Sequence, residues 1–155
     1  MSPFISITVA ELLKDKARQS VGGILFSVTP EAPTADAVAM MVGNKISSVV
    51  VKENENMVGL ITLRELLQGL SDHGDALLTT TCGAVMKKNP AVARVDDTAD
   101  HLRGLMTALH ITHVPVIDAK KLIGILSFHD IARSTIKDAD FENKLLKQYI
   151  KHWPE

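Results

Sequence analysis

The sequence predicts a mixed α/β (α+β) chain built as a tandem repeat, each half running β-α-β-β-α, with one helix before the pair and one after it. Three observations carry this. His113-Val114-Pro115-Val116-Ile117 and Leu122-Ile123-Gly124-Ile125-Leu126 are short apolar runs flanking the polar Asp118-Ala119-Lys120-Lys121, the pattern of a hairpin. The same pattern occurs earlier, where Ser48-Val49-Val50-Val51 is followed by a turn from Lys52 to Asn56 and then by Met57-Val58-Gly59-Leu60-Ile61. The copies keep one register, since 111−46, 124−59, 127−62 and 130−65 all give 65. Finally, each hairpin runs into a hydroxyl residue with an acid three positions later, Thr62/Glu65 and Ser127/Asp130, which opens a helix.

Composition bounds the class. At 155 residues and 46% hydrophobic, the chain suffices for one domain or two small repeats sharing a core. Only 4% of residues are aromatic, so that core is aliphatic. A formal net charge of −1 excludes generic nucleic-acid or membrane-surface binding, which needs a basic excess. A single cysteine, Cys82, excludes an intramolecular disulfide and fits a reducing compartment. Met1-Ser2-Pro3-Phe4-Ile5-Ser6 lacks the basic-then-apolar order of a signal peptide, and no apolar run reaches the ~20 residues that span a bilayer. The expectation is a cytoplasmic protein.

In chain order, residues 1–19 hold a helix opened by the capping box Thr8-Val9-Ala10-Glu11. The first repeat, 20–70, starts after Gly22-Gly23 with a strand over Ile24 to Val28. Thr34 then caps a helix carrying Val38, Met41 and Val42, which stops at Gly43-Asn44. Residues 71–83, polar and containing Gly74, read as a linker. The second repeat, 84–136, has a strand over Ala91 to Val95 and a helix that opens at Thr98, the counterpart of Thr34, with an apolar stripe of Leu102, Leu105, Met106 and Leu109. In 137–155, Phe141, Leu145, Leu146, Tyr149 and Ile150 recur at helical spacing and must cover either their own core or a partner's.

The strand-end pattern Gly-hydrophobic-hydrophobic-[Ser/Thr]-x-x-Asp resembles the signature of the cystathionine β-synthase (CBS) domain. The second copy matches with Gly124, Ser127 and Asp130, behind Val114-Pro115-Val116. The first matches with Gly59 and Thr62 but has Glu65 in place of Asp, and its strand lacks the proline. The chain is thus similar to stand-alone bacterial CBS pairs. The resemblance implies two repeats related by a pseudo-two-fold axis through their sheets, with clefts that take AMP, ADP, ATP, NAD or S-adenosylmethionine. It also implies a disc-like homodimer, which the terminal helices, with Leu12 and Leu13 at one end and Phe141, Leu145 and Tyr149 at the other, motivate as well. The leading expectation is a non-catalytic sensor whose occupancy an unidentified effector protein reads.

Each candidate residue has a plain reading beside the functional one. Ser127/Asp130 and Thr62/Glu65 are sufficient as capping boxes. Asp reaches back less easily than Glu, so Asp130 is expected to keep its carboxylate available for a ribose diol, and the second repeat carries the better site. Gly59 and Gly124 mark the approach of a ligand or another backbone, against the plainer reading of a bulge or of tight packing between repeats. Arg133, His129 and Arg64 are the cations placed to meet phosphates, against the plainer role of solvated or paired side chains. Ile111, His113, Val114 and Pro115, with Ile46 and Val49, are candidates for an adenine wall, against plain core. His110 and His113 straddle a helix end without a third ligand at metal spacing, so no metal site is expected. No nucleophile or phosphate-loop motif is present. The rival from another class is a ligand-free interaction module in which both hydroxyl–acid pairs serve only as caps.

Overall fold

A computed structural model describes residues 7–19 and 25–151; beyond residue 135, side chains are described at 143, 144, 146 and 147 only. Helix α1 (Val9–Gln19) precedes the first repeat. That repeat comprises β1 (Ser27–Val28), α2 (Thr34–Asn44), β2 (Ser48–Glu53), β3 (Asn56–Thr62) and α3 (Leu63–His73). A 3-10 turn (Gly74–Thr79), α4 (Cys82–Val85) and β4 (Lys87–Lys88) lead to the second repeat, which contains α5 (Ala99–Leu109), β5 (His113–Asp118), β6 (Lys121–Ser127) and α6 (Phe128–Lys151).

The hairpins form as the alternation of turn and apolar residues requires. β2 pairs antiparallel with β3, and β5 with β6, each with one extra residue (Val58, Ile123) just before the glycine. The turns place Asn54-Glu55 and Ala119-Lys120 at consecutive positive φ, matching the right-handed strand twist. In the first repeat, β1 runs parallel to β2 and β4 closes the other edge, giving the order β1-β2-β3-β4.

Three apolar clusters result among the described residues. Val28, Ala37, Met41, Val49, Val51, Ile61 and Cys82 fill the first repeat. The second repeat is filled by Leu102, Met106, Val114, Val116, Leu126 and Ile131, together with Val9 and Leu12 of α1. Between the repeats, Val50 and Leu60 meet Ile125, so the two sheets pack face to face about the expected pseudo-two-fold relation.

Several expectations are corrected. The segment 71–83, read as the linker between repeats, carries structure of its own: α3 runs on through His73, and Leu77 and Cys82 are buried. Burial likewise raises the Cys82 thiol pKa, helped by the Asp36 charge against one opposing backbone hydrogen bond, so this thiol is unreactive. Thr34 does not cap α2; its buried hydroxyl donates to Thr80 O at 2.7 Å. Thr98 does cap α5, accepting from His101 N at 3.1 Å. The stop of α2 is Lys45, in the left-handed region. The expected strand over Ala91 to Val95 shrinks to one parallel bridge, Ala93 to Val116. The first strand keeps only Ser27 and Val28 among the described residues. With neither Gly nor Pro between residues 128 and 151, the closing helix is continuous with α6. Its Phe141, Leu145, Tyr149 and Ile150 lie outside the described side chains.

Candidate functional site

The capping boxes follow from local sequence. Thr8 and Glu11 make one on α1. At α3, Thr62 N donates to Glu65 Oε2 at 2.9 Å, and the Thr62 hydroxyl donates to the same oxygen. At α6, Ser127 N donates to Asp130 Oδ2 at 2.8 Å while Asp130 N donates to Ser127 Oγ at 3.1 Å. Asp130 therefore reaches back as fully as Glu65 does, contrary to the expectation of an open carboxylate. A buried carboxylate needs partners, and this one gathers all it can reach.

Two of those partners are cations. Lys16 Nζ of α1 lies 2.9 Å from Asp130 Oδ2, and Arg133 Nη2 lies 2.9 Å from Oδ1. Burial of Asp130 favours its neutral form. Against that stand the Ser127 backbone and side-chain hydrogen bonds and the Lys16 charge and hydrogen bond, and the net result holds the carboxyl pKa below the usual aspartate value. Lys16 also donates to Ile125 O at 2.6 Å.

Beside this network a cleft of about 580 Å³ opens between the repeats. Lys16, Gly124 and Ser127 form one side, and Phe26, Ile46, Ser47 and Ser48 of the first repeat form the other. His113 sits between, with Nε2 3.0 Å from Ser47 Oγ and Nδ1 2.8 Å from Thr112 Oγ1. Burial lowers its pKa to about 4, with the Lys16 charge adding to the effect and Asp130 and Glu65 opposing it. The ring is neutral at pH 7, so it serves as wall and bridge rather than as a cation.

The structure thus brings Ser127, His113, Gly124 and Ile46 to the cleft, with Asp130 behind Lys16. The rest fall elsewhere. Val49 and Val114 are core, Pro115 is buried in β5, and Ile111 packs against the second core. His129 is exposed on the first turn of α6. Arg133 turns to Asp130, leaving its buried Nε without an acceptor among the described residues. Arg64 donates from Nη1 to His110 O at 2.7 Å, closing the end of α5 in the other repeat. Thr62 and Glu65 satisfy each other.

Sequence reasoning missed Lys16, Lys45, Ser47 and Ser48. For Lys16 a signal existed. Val9, Leu12, Leu13 and Lys16 continue one face of α1, so this lysine prolongs a buried apolar stripe. Leu13 of that face also explains Gly124, because a Cβ there would stand 2.6 Å from Leu13 Cδ2.

Comparison with known proteins agrees with this architecture. The CBS domain model matches residues 21–72 and 82–137. The chain is 30% identical over 155 residues to the mitochondrial CBS domain-containing protein CBSX3 of Arabidopsis thaliana, covering 97% of this chain and 75% of that one. It spans under half the length of several longer relatives. The crystal structure of the CBS-domain protein ATU1752 from Agrobacterium tumefaciens superposes with a TM-score of 0.75 at 29% identity, over 83% of this chain and 98% of that one. CBSX2, solved in complex with AMP, gives a TM-score of 0.63 at 26% identity over 74% and 90% of the two chains. The two repeats, the sheets packed between them and the cleft they enclose are those of a tandem pair, and the chain belongs to the CBS domain family.

Proposed function

We propose that this CBS pair is a non-catalytic regulatory module that binds an adenosine-containing ligand, of the class of AMP, ADP, ATP, NAD or S-adenosylmethionine, in the cleft between its repeats. The observation that carries the reading is the cleft itself. Its volume suits a small molecule, its walls come from both repeats, and Ser127, whose amide donates to Asp130, is one of its lining residues. The AMP held by a related CBS protein supports the same class. Because His113 and Ser47 join the repeats across this cleft, a ligand there biases their relative placement, which an effector protein reads.

The exposed stripe of α3 favours a homodimer in addition. Leu63, Leu67 and Leu70 stand at i, i+4 and i+7 and are 63%, 69% and 53% exposed, an apolar face that a second copy would cover. A module that only dimerises, with its acids as caps, is the second reading. That both Asp130 oxygens are engaged favours it.

Calorimetric titration with AMP separates the two. The nucleotide reading expects saturable binding, a rise in Tm equivalent to about 2.7 kcal/mol at a hundredfold excess over Kd, and a loss of about ten- to hundredfold in affinity for Asp130→Asn. Unchanged affinity in that variant removes Asp130 from the site. No heat and no shift in Tm with AMP, ADP, ATP, NAD or S-adenosylmethionine leaves the dimer module.

A further inference from the structure

The offset of 65 that relates the repeats also relates their clefts. Lys45, Ile46 and Ser47, which line the open cleft with Ser127, correspond to His110, Ile111 and Thr112, and Ser127 corresponds to Thr62. Duplication alone would therefore place a second cleft between Thr62 and the segment 110–112. Its two walls are in contact instead, since Arg64 Nη1 donates to His110 O at 2.7 Å. We infer that the pair is one-sided: it takes a single adenosine-containing ligand per chain, in the cleft at Ser127, while the repeat-equivalent cleft is closed and holds the repeats together. This rests on the nucleotide reading above and adds how many ligands the chain takes, and where.

Three differences between equivalent positions support the asymmetry. The first is the tie itself. The counterpart of Arg64 is His129, whose imidazole lacks the reach of a guanidinium, and the counterpart of His110 is Lys45, which lines the open cleft. The second lies in the hydroxyl residues. Ser127 is half-buried and lines the open cleft, whereas Thr62 is buried and both its amide and its hydroxyl donate to Glu65 Oε2. The third is the sheet edge. Gly59 and Leu60 of β3 are paired with Lys88 and Lys87 of β4, while Gly124 and Ile125 line the open cleft. A ligand entering the second cleft would have to part Arg64 from a carbonyl at the end of α5 that no helix amide reaches. It would also have to draw Thr62 from Glu65, and each broken bond must be replaced before binding gains anything.

The test is calorimetric titration of the full chain with AMP, read as molar ratio per chain and as affinity, for the unaltered protein, Asp130→Asn and Glu65→Gln. One AMP per chain is expected. Asp130→Asn should weaken that event about ten- to hundredfold. Glu65→Gln, which keeps an acceptor for the Thr62 donors and remains a good capping-box residue, should leave ratio and affinity as they were. Melts without ligand check that both variants fold. Two AMP per chain in the unaltered protein overturn the inference while the nucleotide reading stands, and this outcome needs no variant. An AMP affinity that falls with Glu65→Gln, or that ignores Asp130→Asn, overturns it as well by moving the ligand away from Ser127. No binding of AMP by the unaltered chain, nor of ADP, ATP, NAD or S-adenosylmethionine, overturns both readings together.

Discussion

His113 Nε2 and Ser47 Oγ meet at 3.0 Å across the boundary between the repeats. Only a neutral imidazole suits this position, since burial and Lys16 both disfavour the charged ring. With a pKa lowered from 6.5 to about 4, the unfolded chain takes up this proton first as pH falls. The stabilisation is thus complete above pH 6.5 and is lost between there and pH 4, on the order of 3 kcal/mol from this residue. Thermal melts against pH should show that slope, and His113→Gln should flatten it. Asp130, whose pKa is also lowered, loses its contribution in a separate window below its ordinary 3.8. An unaltered slope in the variant would place the titrating group elsewhere.

The two strand glycines are repeat-equivalent but not equally replaceable. A Cβ on Gly59 would crowd Met86 from its sulfur inward to its own Cβ at 3.0 Å, whereas on Gly124 it meets only the mobile tip of Leu13. Gly59→Ala should cost about 1–3 kcal/mol in urea unfolding, and Gly124→Ala less.

Ala119 and Lys120 hold φ of 48° and 65° in the second hairpin, where side chains with a Cβ are strained. Lys120→Gly should relieve this and raise Tm by a few degrees, corresponding to about 1 kcal/mol. A fall in Tm would mean that the entropy lost by the freer unfolded chain dominates.

Leu67 is the centre of the exposed α3 stripe. Leu67→Glu should halve the particle mass in light scattering while leaving Tm extrapolated to low concentration nearly unchanged. A monomeric mass for the unaltered chain would remove the homodimer.

Much of the fold was legible because its causes are local. The hairpins, the turns at 54–55 and 119–120, and the caps at Thr8, Thr62, Thr98 and Ser127 depend on residues within a few positions of one another. The reading failed where a partner from far along the chain decided. Ala91 to Val95 has strand-like composition, but Asp97 Oδ2 takes the Arg94 amide at 2.7 Å and bends the chain, so only Ala93 keeps ladder bonds to β5. Thr34 has the right residue type for a cap, yet Thr80 O claims its hydroxyl. Residues 71–83 are mostly polar, and which of their few apolar side chains are buried, Leu77 and Cys82 but not Leu78, is set by packing rather than by local pattern.

From the sequence alone came the duplication, its hairpins and helix starts, and the hydroxyl–acid pair at the head of α6, since periodicity and capping act over one or two turns. Tertiary structure alone decided which groups meet that pair. Lys16 and Asp130 are 114 positions apart, and Arg64 closes a helix in the opposite repeat, 46 positions away. Burial makes a carboxylate recruit whatever cation the packing delivers, and no spacing rule along the chain encodes a delivery made by packing α1 against the second repeat.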